Sequence, residues 1–367
     1  MEQTESPQQY HDYEEMENYT MCDISEWTAC PSLIPVLLMF IFILGLTGNS
    51  VVLYTVTQVQ GKRRVAHIYI GNLALADLVF TVTLPLWAVY TAMDDHWPFG
   101  VALCKIISYM DLLSMYASIF LLTSMSFDRY QAIVHSLPSN HLCAGSHIGA
   151  SLFSVWTLSG LLSVPALVFR NTQQDPMTNR TFCAMDYSLV VSNRHQESQW
   201  FAGLSLSLST LGFLLPLLAM IVCYGLIGCT VMRHFHMWRK EDQRKWRLLK
   251  IIITVVVIFA ACWLPYHVVR STDALSELDL FPTSCAFQRF LLLAYPYTAC
   301  LAYINSCLNP FLYAFFDLHF RSHCLGLLHL KKSHQTPTEV AVVSKVRPAG
   351  RNRPPRRFDQ ARRIILK

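Results

Sequence analysis

The chain has 367 residues, of which 53% are hydrophobic and only 14% charged, and its 29 basic and 24 acidic side chains give a formal net charge of +5. A water-soluble domain carries roughly 25% Asp, Glu, Lys and Arg, so this composition excludes an ordinary soluble globular protein. Long apolar runs displace the missing charge, and the expected class is an all-α membrane protein.

The chain opens on an acidic tail, residues 1–32, with Glu14, Glu15, Glu17, Asp23 and Glu26, and no Lys or Arg precedes Lys62. Cytoplasmic loops hold an excess of Lys and Arg, so this tail is expected outside the cell. Asn18-Tyr-Thr20 on it is an N-glycosylation acceptor by pattern. No cleavable leader is expected, because the apolar run that begins near Leu33 is too long for the core of a signal peptide.

Mostly apolar runs then follow at 33–59, 67–92, 101–134, 148–169, 200–232, 248–269 and 290–316. Each is long enough to cross a hydrocarbon core of about 30 Å as a helix, and seven crossings put the termini on opposite sides. Lys62, Arg63 and Arg64 mark the first inner loop, and Arg239, Lys240, Arg244, Lys245 and Arg247 the third. Asn179-Arg-Thr181, in the second outer loop, is another glycosylation acceptor by pattern. After the seventh run, residues 317–330 are expected to form a short amphipathic eighth helix. There Cys324 is either a palmitoylation site or a plain buried cysteine. Residues 331–367 form a basic tail, and its place beside the last span favours contact with anionic inner-leaflet lipid rather than with nucleic acid.

Five of the twelve cysteines, Cys22, Cys30, Cys104, Cys183 and Cys285, fall on the outer side, where disulfides persist. A Cys104–Cys183 bridge would tether the second outer loop over the bundle. Either Cys22 or Cys30 could close on Cys285, clipping the tail across the bundle mouth.

An ionisable residue within a span costs roughly 2.5 to 3.5 kcal/mol on insertion scales, so it should face the interior and have partners. Asp77 is such a residue, with Asn49, Ser118, Asn305 and Asn309 as candidate partners. These oxygens suit a hard monovalent cation, and an allosteric sodium ion is the only cofactor expected. A neutral network that glues helices together is the alternative. Asp128-Arg129-Tyr130, at the inner end of the third run, would restrain an arginine near water. Pro216, Pro265 and Pro310 each delete a helix hydrogen bond and allow a kink, with Tyr224 two turns below Pro216.

Asn49, Leu75-Ala-Asp77, Asp128-Arg129-Tyr130, Trp156, Cys262-Trp-Leu-Pro265 and Asn309-Pro310-Phe-Leu-Tyr313 occur in the order and spans of a rhodopsin-like G-protein-coupled receptor, which the chain resembles. Thr83-Leu-Pro85 and Trp97-Pro-Phe-Gly100 resemble its peptide and chemokine branch. Val82-Thr-Leu-Pro-Leu-Trp-Ala88, Met115-Tyr-Ala-Ser118 and Ala184-Met-Asp-Tyr-Ser188 are similar to receptors for basic peptide hormones within that branch. The likeness runs from about Met21 to Leu330 and stops at the tail.

The resemblance implies a plasma-membrane receptor that is not an enzyme, for a basic peptide, with heterotrimeric Gi/o protein, arrestin and membrane lipid as partners. It implies ligand contacts at Asp23, Glu26, Trp87, Asp94, Arg170, Asp186, Tyr266, Arg270 and Tyr303. It implies activation through Ile119, Pro216, Phe259 and Trp263, then through Tyr224, Tyr313 and Arg129. The stretch Met21-Cys-Asp-Ile-Ser-Glu-Trp27 resembles the branch's N-terminal cysteine context, so Cys22 rather than Cys30 is expected on Cys285. His96, Ser114, Lys245 and Gln288 depart from the pattern. A chemokine-type receptor is the alternative within the family. A transporter or channel would call for inverted repeats or several charges along one route, and a retinal pigment for a lysine in the seventh run; the sequence has none of these.

Overall fold

The computed structural model describes residues 33–58, 65–134, 141–191, 193–233, 242–280 and 284–316; within them, the side chains of 58, 65–66, 141–146, 194, 231–233, 242–249, 251–252 and 313–316 lie outside the description. All the described residues belong to one compact unit, Met1–Cys324, while the second, Leu325–Lys367, is wholly outside them. The expected eighth helix and both tails therefore fall beyond the described part.

Seven helices are long and apolar enough to cross a membrane. The first span is α1 (Leu33–Gln58), whose 26 residues measure about 39 Å at 1.5 Å per residue. The second is two helices in line, α2 (Val65–Thr81) and α3 (Leu84–Ala92). The third is α4 (Gly100–Val134) and the fourth α5 (His141–Phe169). The fifth is α6 (Arg194–Ser209), a π-helical turn at Thr210–Leu214, and α7 (Leu215–Arg233). The sixth is α8 (Asp242–Ser276) and the seventh α9 (Cys285–Phe316).

Both interruptions have local causes. Pro85 has no N–H for the carbonyl of Thr81, and the chain turns there through the Thr83 N–H, which donates to the carbonyl of Phe80 at 2.9 Å. In the fifth span the π turn comes just before Pro216, which likewise leaves the Gly212 carbonyl without its usual donor. Gly212 also fits the turn against the third span: a Cβ there would lie 2.9 Å from both Met115 and Tyr116.

The exterior is apolar, unlike that of a soluble protein, and a few polar side chains are buried within the apolar core. Phe153 is 74% exposed and Leu161 65% exposed, whereas Asn49 and Asp77 are both at 0%. Apolar surface of that extent fits a hydrocarbon solvent, in which backbone polar groups must be satisfied within each helix. The third span occupies the middle, packed against the second, fourth, fifth and sixth. Small residues let the helices approach; a Cβ on Gly48 would come within 2.9 Å of the Pro310 ring.

One element was not expected from the sequence. The loop between the fourth and fifth spans folds into an antiparallel hairpin, β1 (Arg170–Gln174) with β2 (Thr181–Met185), in which Thr172 faces Cys183. Its turn is held by the Asp175 carboxylate, which accepts from the Met177 N–H at 2.9 Å and the Thr178 hydroxyl at 2.6 Å. These bonds hold the Asp175 carboxyl below its ordinary pKa. Asn179 completes the turn at φ 55°, a conformation Asn tolerates better than most residues.

Candidate functional site

Three groups of polar side chains lie along the bundle: one at the hairpin end, one at mid-depth, and one at the end that carries Asp128-Arg129-Tyr130.

At the hairpin end, a Cys104–Cys183 disulfide with Cα atoms 5.7 Å apart ties β2 to the start of the third span, as expected. The hairpin is also fastened to the segment after the second span. The Trp97 N–H donates to the Thr181 carbonyl at 2.7 Å, the Thr181 N–H donates to His96 Nδ1 at 3.1 Å, and Arg180 donates to the Asp94 carbonyl at 3.0 Å and pairs with its carboxylate at 3.4 Å. Asp94 and Asp95 adopt φ values of 52° and 62° to make the bend. Burial and the neighbouring Asp94 charge push the Asp95 carboxyl up. Asp186 accepts from the Ser188 N–H at 3.0 Å and from Asn171 Nδ2 at 2.9 Å, and these bonds hold its carboxyl below the usual range. Two of the acids expected to meet a ligand thus also hold the hairpin in place.

Below the hairpin the expected ligand residues converge in two groups. Trp87 packs on Tyr90 and Trp97, with ring centroids 5.7 and 5.6 Å away, and Tyr303 lies 4.9 Å from Phe80. Arg270 reaches the Tyr266 hydroxyl at 3.5 Å and the Tyr295 hydroxyl at 3.3 Å, and stands 5.9 Å over the Phe201 ring; its Nε has no hydrogen-bond partner. Arg170 donates to the Cys183 carbonyl at 2.9 Å. Asp23 and Glu26 lie outside the described residues.

Sequence reasoning missed Asp111, Tyr295 and His267 here. Asp111 accepts from the Thr83 hydroxyl at 2.7 Å and from Trp87 Nε1 at 2.8 Å. The signal in the sequence is the same as at Asp77, an ionisable residue within a span. His267 bonds to Ser209 at 3.1 Å and stacks on Phe213 at 4.7 Å.

At mid-depth, Asn309 Nδ2 donates to Asp77 Oδ2 at 2.8 Å, and Asn49 Nδ2 donates to the Gly45 and Ser306 carbonyls at 3.0 and 2.8 Å. Asn49 Oδ1, Asp77 Oδ1, Asn305 Oδ1 and Asn309 Oδ1 have no donor, and Ser118 is buried with them. Buried polar atoms almost always find partners. The unpartnered atoms of these four residues are all oxygen acceptors, the ligand type a hard cation takes.

Toward the third group, Phe213 lies 6.4 Å from Phe259, and Phe259 6.0 Å from Trp263, which in turn stands 5.8 Å from Tyr266. Ile119, Pro216 and Phe259 are buried. Arg129 donates to the Asp128 carboxylate from Nε at 3.0 Å and from Nη2, and Ser126 and Tyr224 are joined by a 2.9 Å hydrogen bond. Pro265 and Pro310 lie inside their helices. Tyr130 has a partner of its own. The side chains of Lys245 and Tyr313 lie outside the described residues, so their roles are not placed. Cys285 is disulfide-bonded, and the expected partner, Cys22, also lies outside the described residues.

Comparison with known proteins agrees with this architecture. Residues 48–313 match the family of seven-transmembrane receptors of the rhodopsin type. The chain is 65% identical to apelin receptor B of Danio rerio, over 91% of this chain and 93% of that protein. It is 52% identical to the apelin receptor of Xenopus tropicalis, over 89% of each. Against the type-1 angiotensin II receptor of Bos taurus the identity is 39%, over 85% of this chain and 86% of that one.

Proposed function

Because the chain belongs to the rhodopsin family of seven-transmembrane receptors, we propose that it is a plasma-membrane receptor for the basic peptides apelin and Elabela (Toddler), signalling through Gi/o to inhibit adenylate cyclase. In this reading the N-terminus and the hairpin end face outward and the Arg129 end faces the cytoplasm. The observation that carries it is the unbroken series of contacts from Arg270 and Tyr266 through Trp263 and Phe259 to Phe213. Identity to apelin receptors at 65% and 52% supports the choice of peptide.

The acidic tail, with Asp23 and Glu26, and the acids Asp94 and Asp186 draw a cationic peptide to the mouth, since complementary charge speeds encounter. Trp87, Tyr303, Tyr266, Arg270 and Arg170 receive its inserted end. Ligand pressing on Tyr266 repacks Trp263 against Phe259, Ile119 and Pro216. The sixth span then swings its cytoplasmic end about Pro265, Tyr224 and Tyr313 rearrange, and Arg129 leaves Asp128 to meet the G protein.

The oxygens around Asp77 fit a sodium ion, which Asp77, Ser118, Asn305 and Asn309 would hold, with Asn49 beside them. When bound, the ion compensates the carboxylate charge in a site of low polarity. Asp77 then holds the second and seventh spans together through Asn309. Asn18 and Asn179 carry glycans, a Cys22–Cys285 bridge clips the N-terminal tail to the seventh span, and Cys324 carries a palmitoyl anchor. The basic tail lies on anionic lipid, and arrestin is a further cytoplasmic partner.

Binding of labelled peptide to cells displaying the chain tests the reading. Apelin and Elabela peptides should compete with one another at a single class of sites, and a chemokine or angiotensin II should not displace them. Binding of a labelled chemokine or of labelled angiotensin II, with no apelin or Elabela binding, would assign the chain to another ligand class.

A further inference from the structure

His96, one of the residues that depart from the family pattern, stands at the seam between the hairpin and the bundle. The bend after the second span lies against β2 there, and Thr181 commits both of its backbone groups to it. The Thr181 carbonyl accepts from the Trp97 N–H at 2.7 Å, and the Thr181 N–H donates to His96 Nδ1 at 3.1 Å.

A histidine acceptor brings a condition that an amide or hydroxyl oxygen would not. An imidazole nitrogen accepts only while it carries no proton, so this bond requires the neutral ring with its hydrogen on Nε2. A second proton must go to Nδ1. There it would face the Thr181 N–H, leaving two donors with no acceptor between them. An ordinary imidazole changes charge in the mildly acidic to neutral range, and His96 and Thr181 are both half-buried rather than sealed from solvent.

The charges around the seam are divided so that protonation pulls it apart. The acids, Asp94 and Asp95, belong to the bend that carries His96. The cation, Arg180, belongs to the hairpin and precedes Thr181; it donates to the Asp94 carbonyl at 3.0 Å and pairs with the Asp94 carboxylate at 3.4 Å. Asp95 lies within electrostatic reach of both, and of Tyr90 at the end of the second span, which also senses Arg170 of β1. On the third span, Lys105 is turned to the Leu167 and Val168 carbonyls. A cationic ring therefore repels Arg180, competes with it for Asp94, and is drawn back onto its own bend. The Cys104–Cys183 disulfide still holds the far part of β2, so the part released is the hairpin tip, from Gln174 to Thr181.

We propose that the bond from the Thr181 N–H to His96 Nδ1 is a proton-operated clasp: the neutral ring holds the hairpin tip against the bundle, and the protonated ring lets it go. Because the expected ligand residues converge beneath the hairpin, release speeds the departure of a bound peptide in an acidifying compartment. That consequence rests on the function proposed above, and the clasp itself does not.

Residue-resolved hydrogen exchange on purified, ligand-free receptor tests the clasp at about pH 7.4 and about pH 5.5, which bracket the midpoint of an ordinary imidazole. Each rate is divided by the intrinsic rate at that pH. In the wild type the Thr181 amide should lose protection about three- to tenfold on acidification, the scale of a single hydrogen bond. His96→Asn offers an acceptor oxygen at the δ position without a proton-binding ring, and should keep its protection at both values. Asp95→Asn removes the neighbouring carboxyl as a source of the effect and should retain the wild-type loss. Equal protection of the wild type at both values, an undiminished loss in His96→Asn, or disappearance of the loss in Asp95→Asn would overturn the clasp. In a second arm, labelled apelin should leave the wild type about three- to tenfold faster at the lower pH, and should leave His96→Asn at nearly the same rate at both. Unchanged dissociation with the expected exchange would overturn the consequence for the ligand. Failure of apelin to bind the wild type at all would count against the proposed function, and the exchange arm would still decide the clasp.

Discussion

A carboxylate at 0% exposure, as Asp77 is, keeps its charge inside an apolar bundle only with compensation; its Oδ1 and those of Asn49, Asn305 and Asn309 lack a donor, and a sodium ion is the proposed compensation. Sodium should therefore lower agonist affinity in the wild type by favouring the inactive bundle, since a ligand that prefers one state opposes a ligand that prefers the other. Competition binding in sodium against potassium at constant ionic strength should show the shift in the wild type and lose it in Asp77→Asn; persistence in the variant would remove sodium from this site. Asp186 makes a different residue-scale prediction. Its carboxyl is lowered from the ordinary 3.8 by the bonds from Ser188 and Asn171. The hairpin anchorage it provides is therefore complete above that ordinary value and is lost as pH falls through the lowered one. Hydrogen exchange at the Ser188 amide should accelerate over that acidic range in the wild type relative to the intrinsic rate, and Asp186→Asn should flatten the dependence. Asp77 was legible in the sequence because Leu75-Ala-Asp77 sits in an unmistakable apolar run. Asp111 lies within a span as well, but its partners Thr83 and Trp87 come from another helix, 28 and 24 residues away in sequence, which no local pattern reveals.

The helices themselves follow from apolar length, and their junctions follow from a few small or proline residues. Gly48 is the clearest: a Cβ there would meet Pro310 Cγ at 2.9 Å and Cβ at 3.0 Å, and a proline ring cannot turn aside. Gly48→Ala should push the first span from the seventh, strain the adjacent Asn49 bond to the Ser306 carbonyl, and destabilise by about 1 to 3 kcal/mol, the usual range for overpacking. Gly225→Ala meets nothing within 4 Å and serves as the control. A thermal-stability assay on detergent-solubilised receptor should show a lower melting temperature for Gly48→Ala only; equal melting would mean that the helices relax freely there. The boundary at Pro216 was readable as a place where a hydrogen bond must be lost, whereas the break at Pro85 was not, since residues 67–92 read as one run. The hairpin was not, because Arg170–Gln174 and Thr181–Met185 are five residues each and lack the alternation of a half-buried strand. Their pairing is enforced from outside by the Cys104–Cys183 bridge and the contacts from His96, Trp97 and Arg180.

At the scale of the molecule, an apolar exterior surrounds a packed core in which a few polar side chains are buried, and a series of contacts runs from Arg270 through Tyr266, Trp263 and Phe259 to Phe213. The overall architecture was legible because solvent dictates it: apolar runs of this length and basic loops admit few arrangements. The central claim is tested most directly by cyclic AMP. In cells expressing the chain and stimulated with forskolin, apelin or Elabela should lower cyclic AMP in a concentration-dependent way. Pertussis toxin should abolish the response, and untransfected cells should give none. An unchanged cyclic AMP level with labelled peptide demonstrably bound would contradict the Gi/o assignment, and a fall produced by a chemokine while both peptides are inert would contradict the receptor class.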